Sequence, residues 1–152
     1  MSVTTLTWGV KASFRAYVEA AGGSITLADG ADRDADGAFV LTAAPGGDLA
    51  VGPDGALTGA ARFRGAISFE AHGGMLRTTL CELGVEAGPD GAVITAPTAP
   101  GGEKRYAIAK LGAPQTGPDG AVTLPATITL DGMYQIADNY PPGTALDPVV
   151  LS

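Results

Sequence analysis

The chain has 152 residues, a length that fits one domain burying about 70% of the surface its unfolded chain exposes, and we predict a single domain over residues 1–152. It carries 16 acidic and 9 basic side chains, and this net charge of −7 argues against a nucleic-acid or anionic-membrane partner, because such surfaces need clustered positive charge. A single cysteine and a single histidine exclude a disulfide framework and a cysteine-based zinc site, and the lack of any apolar run of about 18 residues argues against membrane insertion.

The first predicted element is a helix over residues 8–21. Apolar side chains recur there with the spacing of one helical face, at Val10, Phe14, Tyr17, Val18 and Ala21. Thr5 or Thr7 is expected to cap the start of the helix, and Gly22-Gly23 is expected to end it in the left-handed conformation. This pattern predicts that the Tyr17 ring packs inward while its hydroxyl finds a polar partner.

Reused hairpin turns are predicted beyond the helix. The tripeptide Asp-Gly-Ala occurs four times, beginning at Asp36, Asp54, Asp90 and Asp119. Aspartate tolerates the bend and glycine takes positive φ, so each tripeptide is expected to join two antiparallel strands. The intervals between them are irregular, which argues against a solenoid.

The clearest predicted strand covers residues 62–72, where apolar and polar side chains alternate with period two. Shorter strands are predicted at residues 92–96, 106–111, 121–124 and 127–130. Exposed loops are expected at 99–104 and 113–118, and residues 139–143 are expected to be irregular because they contain two prolines. The predicted fold is therefore mainly β, an antiparallel β-sandwich with one or two short helices, the first near the N-terminus.

Two side chains stand out chemically, and the residues alone leave both open. Tyr17 reads either as a core tyrosine bonded to a backbone carbonyl or as part of a site. His72 ends the best strand and precedes Gly73-Gly74, which suits either a solvated turn or close approach by a ligand. Met75 could pack on a flat apolar ligand or fill the core. Glu70 on the same strand face as His72 is read as an orienting or surface charge.

Enzyme templates find little support. No Gly-x-Ser-x-Gly motif occurs, and no nucleophile is placed beside the histidine by a known spacing, so we predict a protein that is not an enzyme. The acidic run Asp29, Asp32, Asp34 and Asp36 lacks the rest of a calcium-loop pattern and is read as a solvated loop.

Three segments, in order along the chain, resemble one family. The run Trp8-Gly9-Val10-Lys11-Ala12-Ser13-Phe14-Arg15-Ala16-Tyr17 resembles the opening of HtaA-type haem-binding domains. The segment 67–76, with Ala71-His72-Gly73-Gly74-Met75-Leu76, is similar to the family's strand ending in Gly-His-x-Gly-x-Leu. The tail Tyr140-Pro141-Pro142-Gly143-Thr144-Ala145-Leu146-Asp147-Pro148 resembles its Tyr-x-x-Gly-Thr-x-Leu-Asp-Pro close.

The resemblance implies a β-sandwich of an actinobacterial haem-acquisition system that binds haem b, Fe(III) protoporphyrin IX, and exchanges it with a haem source or another haem-transfer protein. It implies that Tyr17 is the axial iron ligand and that His72 hydrogen-bonds the tyrosine oxygen, a ligand type suited to ferric iron. Phe14 and Met75 are then expected to contact the porphyrin ring, and Tyr140 to provide packing.

Several points stay open at this stage. Lys11, Arg62 and Arg64 are candidate partners for the haem propionates, and nothing in the sequence chooses among them. Ala71 stands where the family usually has glycine, which could narrow the approach to the site. An intracellular haem-handling protein or an enzyme on the same scaffold, or a haem-free module that binds carbohydrate or protein, remain alternatives. If the chain is an excised domain, the resemblance implies an extracellular or cell-surface location. Otherwise we expect a cytoplasmic location, because residues 1–5 do not have the pattern that begins a signal peptide.

Overall fold

The computed structural model describes residues 1–99, 101–137 and 139–152, and strands dominate it. The helices are α1 (Ala12–Ala20) and α2 (Leu130–Gln135). The strands are β1 (Thr5–Trp8), β2 (Ser24–Ala28), β3 (Asp32–Arg33), β4 (Phe39–Ala43), β5 (Ala50–Val51), β6 (Leu57–Thr58), β7 (Ala60–Arg64), β8 (Ala66–Ala71), β9 (Leu76–Cys81), β10 (Gly84–Gly88), β11 (Gly91–Pro97), β12 (Arg105–Leu111), β13 (Gln115–Thr116), β14 (Val122–Ile128) and β15 (Ala145–Leu151).

The strands form one large and one small antiparallel sheet around a shared core. The ten-stranded sheet closes on itself, because β1 pairs with β15 on one side and with β4 on the other. The second sheet has three strands in the order β2-β8-β9, and β5 and β6 form a separate hairpin. Phe69 of β8 joins the layers, since its ring lies 5.8 Å from that of Phe39 in the large sheet and 4.9 Å from that of Phe14 in α1. The prediction of a mainly β, antiparallel β-sandwich with one or two short helices is confirmed, and its larger sheet closes in the manner of a barrel.

The strand predicted over residues 62–72 is two strands in different sheets. Its alternation is correct, because Phe63, Ile67, Phe69 and Ala71 are all buried. The break falls at Gly65, whose φ is +127°, and a side chain there would come within 2.8 Å of Leu41 and Ala31. The chain therefore passes from β7 in one sheet to β8 in the other at this glycine. An alternation of apolar and polar residues does not indicate such a change of sheet, because it continues unchanged through the glycine.

All four predicted turns join antiparallel strands. They lie between β3 and β4, β5 and β6, β10 and β11, and β13 and β14, and each central glycine has positive φ. In three of them, aspartate Oδ1 accepts from a backbone amide two residues on, at 2.9–3.1 Å. In the first, the accepting aspartate is Asp34, which also receives the amide of Ala38.

The strands predicted at 92–96 and 106–111 are confirmed as β11 and β12. Those predicted at 121–124 and 127–130 are wrong as separate strands, because they form one strand, β14, through Pro125. Leu130 instead begins α2, where the Thr129 hydroxyl accepts from the amide of Gly132 at 3.0 Å. The 99–104 loop is exposed as predicted where it is described; Pro100 lies outside the described residues.

The loop predicted at 113–118 is mostly exposed but contains the short strand β13, and residues 139–143 are irregular as predicted. Within the described ranges, neither helix is long and apolar enough to cross a membrane.

The first helix begins later than its apolar pattern predicts. Trp8 belongs to β1, Val10 has a φ of +63°, and helical geometry starts only at Ala12. The residue that precedes the first turn is Lys11, whose side chain makes no capping bond, so the expected caps at Thr5 or Thr7 are wrong. The end of the helix is as predicted, with Gly22 at a φ of +73°.

Candidate functional site

Asp147, from the last strand, fixes the start of α1. Its Oδ1 accepts from the backbone amide of Ala12 at 2.9 Å, and its Oδ2 accepts from Arg15 Nη1 at 2.7 Å. Its backbone carbonyl accepts from the Trp8 indole at 2.9 Å, while its amide donates to the carbonyl of Val10 at 2.8 Å. A carboxylate at the start of a helix accepts a hydrogen bond from an amide that has no partner within the helix. Its negative charge also interacts favourably with the positive end of the helix dipole. Asp147 therefore caps the start of α1 in place of a neighbouring residue.

The end of α1 is fixed against β8 by Gly23. The Gly23 amide donates to the carbonyl of Val18 at 2.9 Å, and β2 then pairs with β8 so that Ser24 lies opposite Glu70. A side chain on Gly23 would collide with the Glu70 carbonyl and would lie 2.9 Å from Ala71 Cβ. Helix and strand therefore approach closely one residue before His72, which places the last helical turn beside that histidine.

Tyr17 and His72 meet at this junction. The Tyr17 hydroxyl and His72 Nε2 are hydrogen bonded at 2.6 Å, with the histidine tautomer deciding which atom donates, and the two ring centroids are 5.6 Å apart. The Tyr17 side chain is 48% exposed, so the predictions that its ring packs inward and that it is a core tyrosine bonded to a backbone carbonyl are wrong. Phe14 and Val18 take the core positions, and Tyr17 lies about 60° round the helix from Phe14, at the edge of the buried face.

His72 is held in an uncommon backbone conformation. Its φ is +55°, in the left-handed region, and Gly73 and Gly74 follow with φ of +65° and +94°. For a residue with a side chain this region costs about 1–2 kcal/mol, and such outliers concentrate at functional sites. The turn lifts an exposed His72 out of β8 and points it toward the helix.

An open cleft of about 580 Å³ adjoins this pair. Helix α1 contributes Phe14 and Tyr17, and the segment from Met75 to Thr78 contributes a second wall. The third wall comes from α2 and the residues after it, Tyr134, Ile136, Ala137 and Asn139. We call this the Tyr17 cleft; His72 is not among its lining residues and reaches it through Tyr17.

Two predicted ring contacts line the Tyr17 cleft in different ways. Phe14 is 1% exposed and forms part of the floor, packed on Phe69 and, edge to face at 6.2 Å, on Tyr140, which therefore has the packing role expected of it. Met75 is 91% exposed at the rim, so it does not fill the core.

The third wall was missed by sequence reasoning. Tyr134 is 73% exposed and lines the cleft, yet the α2 segment is too short for its apolar spacing to reveal a face. Ile136 is fixed opposite β9, because the Thr78 hydroxyl donates to the Ile136 carbonyl at 3.0 Å. Only the tertiary pairing of α2 with β9 brings these residues to the site.

Comparison with known proteins identifies the family and the fold. The family model described as Htaa matches residues 3–152. The chain belongs to the HtaA family. It is similar to the C-terminal domain of HtaA from Corynebacterium glutamicum, at 26% identity and a TM-score of 0.75, covering 99% of this chain and 94% of that one. The N-terminal domain of the same protein gives 25% identity and a TM-score of 0.75, covering 99% and 97%.

The haem-binding protein HtaB of Corynebacterium glutamicum shares the fold at 16% identity, with a TM-score of 0.69 and coverage of 99% and 91% of the two chains. Comparison with curated proteins gives no match.

The three sequence segments that resemble HtaA domains have two separate tasks in this chain. Trp8, Arg15 and Asp147 converge at the start of α1, whereas Tyr17 and His72 converge at its last turn. Ala71, which replaces the family's usual glycine, is 2% exposed and faces the core; it is not among the residues that line the Tyr17 cleft, so it does not narrow it directly.

The basic residues considered for propionates lie elsewhere in this HtaA-family chain. Lys11 Nζ donates to the Ala145 carbonyl at 2.7 Å and lies 5.5 Å from the Tyr140 ring centroid. Arg62 lines a different cleft together with Arg105, where burial and then the charge of Arg62 lower the pKa of the Arg105 guanidinium. Neither Arg62, Arg64 nor Lys11 lines the Tyr17 cleft.

Three of the acidic residues singled out in the sequence have polar partners within the chain. Asp32 and Asp34 bond to backbone amides of their own turn, and no group of three metal-ligating side chains occurs in the part of the chain that the structure describes. Glu70 faces Arg77 across the β8–β9 pair at 3.8 Å, so its ionic partner is this arginine.

Proposed function

We propose that this chain binds Fe(III) haem in the Tyr17 cleft, with Tyr17 as the axial ligand and His72 as the hydrogen-bond partner of the ligating oxygen. The single observation that carries the proposal is the 2.6 Å contact between the Tyr17 hydroxyl and His72 Nε2 beside an open cleft, in a chain of the HtaA family. The structurally similar protein HtaB is named as a haem-binding protein, which supports haem as the molecule bound here.

The residues present fit such a ligand. A phenolate is a hard anionic oxygen donor, and tyrosine is an established type of axial ligand to haem iron. Met75, Leu76 and the ring of Tyr134 supply apolar surface for a flat macrocycle, above a floor that includes Phe14. A cleft of about 580 Å³ falls in the usual range of roughly 300–1,000 Å³ for small-molecule sites. Haem brings the ferric iron, a Lewis acid that favours the ionised form of an oxygen ligand.

His72 gives the tyrosine proton a place to go. Tyrosine hydroxyls are neutral near pH 7, so ligation requires the proton to leave the oxygen. The hydroxyl proton of Tyr17 can pass along the 2.6 Å hydrogen bond to His72 Nε2, which then donates back to the phenolate oxygen. Because this bond stabilises the phenolate, weakening it lowers the strength of the ligand and offers a route to release.

We also propose that the site carries haem without turning it over. Among the described residues that line the cleft there is no Asp, Glu, Lys or His, and His72 is already engaged with Tyr17. Apart from Tyr17, Tyr134 is the one residue of this set of a type that serves as a general acid or base, and a neutral tyrosine hydroxyl is a weak acid and a weak base near pH 7. The open cleft suits uptake and transfer, with haem passed from a source or to another haem-transfer protein.

The test is a titration of the apo-protein with Fe(III) haem, followed by absorption. The wild type is expected to give a saturable 1:1 change of the Soret band near 400 nm and a tyrosinate charge-transfer band in the visible. Tyr17→Phe keeps the ring but removes the ligating oxygen, and it is expected to abolish the charge-transfer band.

Two matched variants serve as controls. Tyr134→Phe changes the other tyrosine of the cleft, and Tyr106→Phe changes a tyrosine that is 38% exposed on β12 and is not among the lining residues. Both are expected to keep the band. A Tyr17→Phe spectrum identical to wild type, or loss of the band in Tyr134→Phe instead, would refute the assignment of Tyr17.

A further inference from the structure

Arg77 is the only cationic side chain among the described residues that line the Tyr17 cleft. It is the second residue of β9, between Leu76 and Thr78, which line the same wall. The three basic residues that the sequence offered as carboxylate partners are all absent from this lining. Any anionic group that enters the cleft therefore meets Arg77 before another basic side chain.

The guanidinium of Arg77 interacts only weakly with its neighbour in the protein. It lies opposite Glu70 across β8 and β9, and its Nη2 is 3.8 Å from Glu70 Oε1, beyond hydrogen-bond range. The Arg77 and Glu70 side chains are 71% and 50% exposed, and exposed pairs of this kind contribute little. Gly74 leaves room for it, because a side chain there would lie 3.2 Å from Arg77 Nη2. Arg77 can therefore exchange this partner for another carboxylate at small cost.

We propose that Arg77 binds a propionate carboxylate of the porphyrin and that Glu70 holds it in the empty site as a competing counter-ion. This inference rests on the proposed function. A guanidinium presents two parallel donors that match a carboxylate, which gives direction as well as charge. Arg77 thereby selects a porphyrin that carries free acid groups and orients it with those groups toward β9 and the iron toward Tyr17.

The experiment compares two porphyrins on the same protein, Fe(III) protoporphyrin IX and its dimethyl ester, in the same detergent solution. Arg77→Met keeps an unbranched, flexible side chain and removes the guanidinium with its charge. It is expected to weaken binding of the free acid by about two- to fivefold, the upper part of the range for an exposed ion pair, and to leave binding of the ester unchanged. Glu70→Gln removes the competitor and is expected to tighten binding of the free acid about twofold.

The control is Arg64→Met, which removes an exposed arginine from β7 outside the cleft. This variant is expected to bind the free acid and the dimethyl ester with the same affinities as the wild type. Equal losses for acid and ester in Arg77→Met would show that Arg77 only packs on the ring, and no loss for either would also overturn the proposal. The wild-type preference for the acid should shrink in about 1 M salt, where the screening length falls to about 3 Å.

Metal-free protoporphyrin IX separates this inference from the proposed function, with binding followed by porphyrin fluorescence. It keeps the carboxylates and lacks the iron, so Arg77→Met should still weaken its binding while Tyr17→Phe should not. If Fe(III) haem fails to bind the wild type at all, the proposed function fails. If it binds with the tyrosinate band but Arg77→Met has no effect on any free-acid porphyrin, only the role of Arg77 fails.

Discussion

The two ends of α1 are built in opposite ways. At its start, Asp147 accepts from the helix amide and from Arg15, whose side chain is 13% exposed, so the polar groups are paired within the protein. At its other end, Tyr17 is 48% exposed and has one hydrogen bond, to a histidine that is itself exposed. One nine-residue helix therefore has an end that is closed by the chain and an end that is open to a ligand.

The contrast teaches how a precise site can be placed on a surface. An exposed tyrosine alone would sample several rotamers, but here the helix that carries it is held at both ends. Asp147 holds the start, and the close contact of Gly23 with the end of β8 holds the last turn. The residues that hold α1 in place do not line the cleft. The exposed residues at the end of the helix are therefore free to bind a ligand.

The largest effect on stability is expected from Asp147→Ala. It leaves the Ala12 amide without its acceptor and removes the anionic partner of the partly buried Arg15, which keeps only its bond to the Gly9 carbonyl; we expect a loss of about 3 kcal/mol in the free energy of unfolding. Urea unfolding measures it. Asp119→Ala, which removes one turn bond of 3.1 Å, should cost about 1 kcal/mol or less. Equal losses in the two variants would contradict the role of Asp147 in holding the start of α1.

A smaller effect is expected from Gly23→Ala, at the end of α1 that lies beside β8. The added methyl group collides with the Glu70 carbonyl and pushes α1 away from β8, at a cost of about 1–3 kcal/mol. Haem affinity should fall as well, because the Tyr17–His72 contact spans this junction.

The matched control is Gly22→Ala, at a neighbouring position with open space but a φ of +73°. It should cost about 1 kcal/mol through its backbone alone and leave haem affinity unchanged. An affinity that survives Gly23→Ala intact would show that the helix contact does not position Tyr17.

The smallest effect is expected at Cys81, the buried end of β9, the strand whose other end lines the cleft. Burial, and then the negative charge of Glu82, raises the pKa of the Cys81 thiol. The unfolded chain therefore loses this proton at lower pH than the folded one, so stability should decline slightly as pH rises through the ordinary thiol range.

Alkylation by iodoacetamide checks the same shift. The folded protein should react slowly near pH 8, and the urea-unfolded chain should react as a free thiol. Equal rates in the two states would contradict the burial of Cys81.

Local chemistry made much of the fold predictable. The four Asp-Gly-Ala turns and the alternation of residues 62–72 depend on neighbours in the sequence, and both are correct. The break at Gly65 was missed because the alternation continues through it, and the cap of α1 was missed because its acceptor is 135 residues away.

The site was predictable in part. The proximity of Tyr17 and His72 was implied by resemblance to a family, whereas the exposure of Tyr17 depends on which face of a short helix meets β8. Arg77 and Tyr134 gave no signal, since an exposed side chain on a strand or a six-residue helix has no pattern of its own until the tertiary structure forms a cleft around it.

The most direct test of the account is a double-mutant cycle on the Tyr17–His72 pair, read out as affinity for Fe(III) haem and as intensity of the charge-transfer band. His72→Ala in the wild type should weaken haem binding about tenfold, the lower end of what loss of such a supporting hydrogen bond costs. In the Tyr17→Phe background the same change should have almost no effect, because His72 acts through the tyrosine oxygen. Equal losses in both backgrounds would show that the two residues act independently and would contradict the proposed ligand pair.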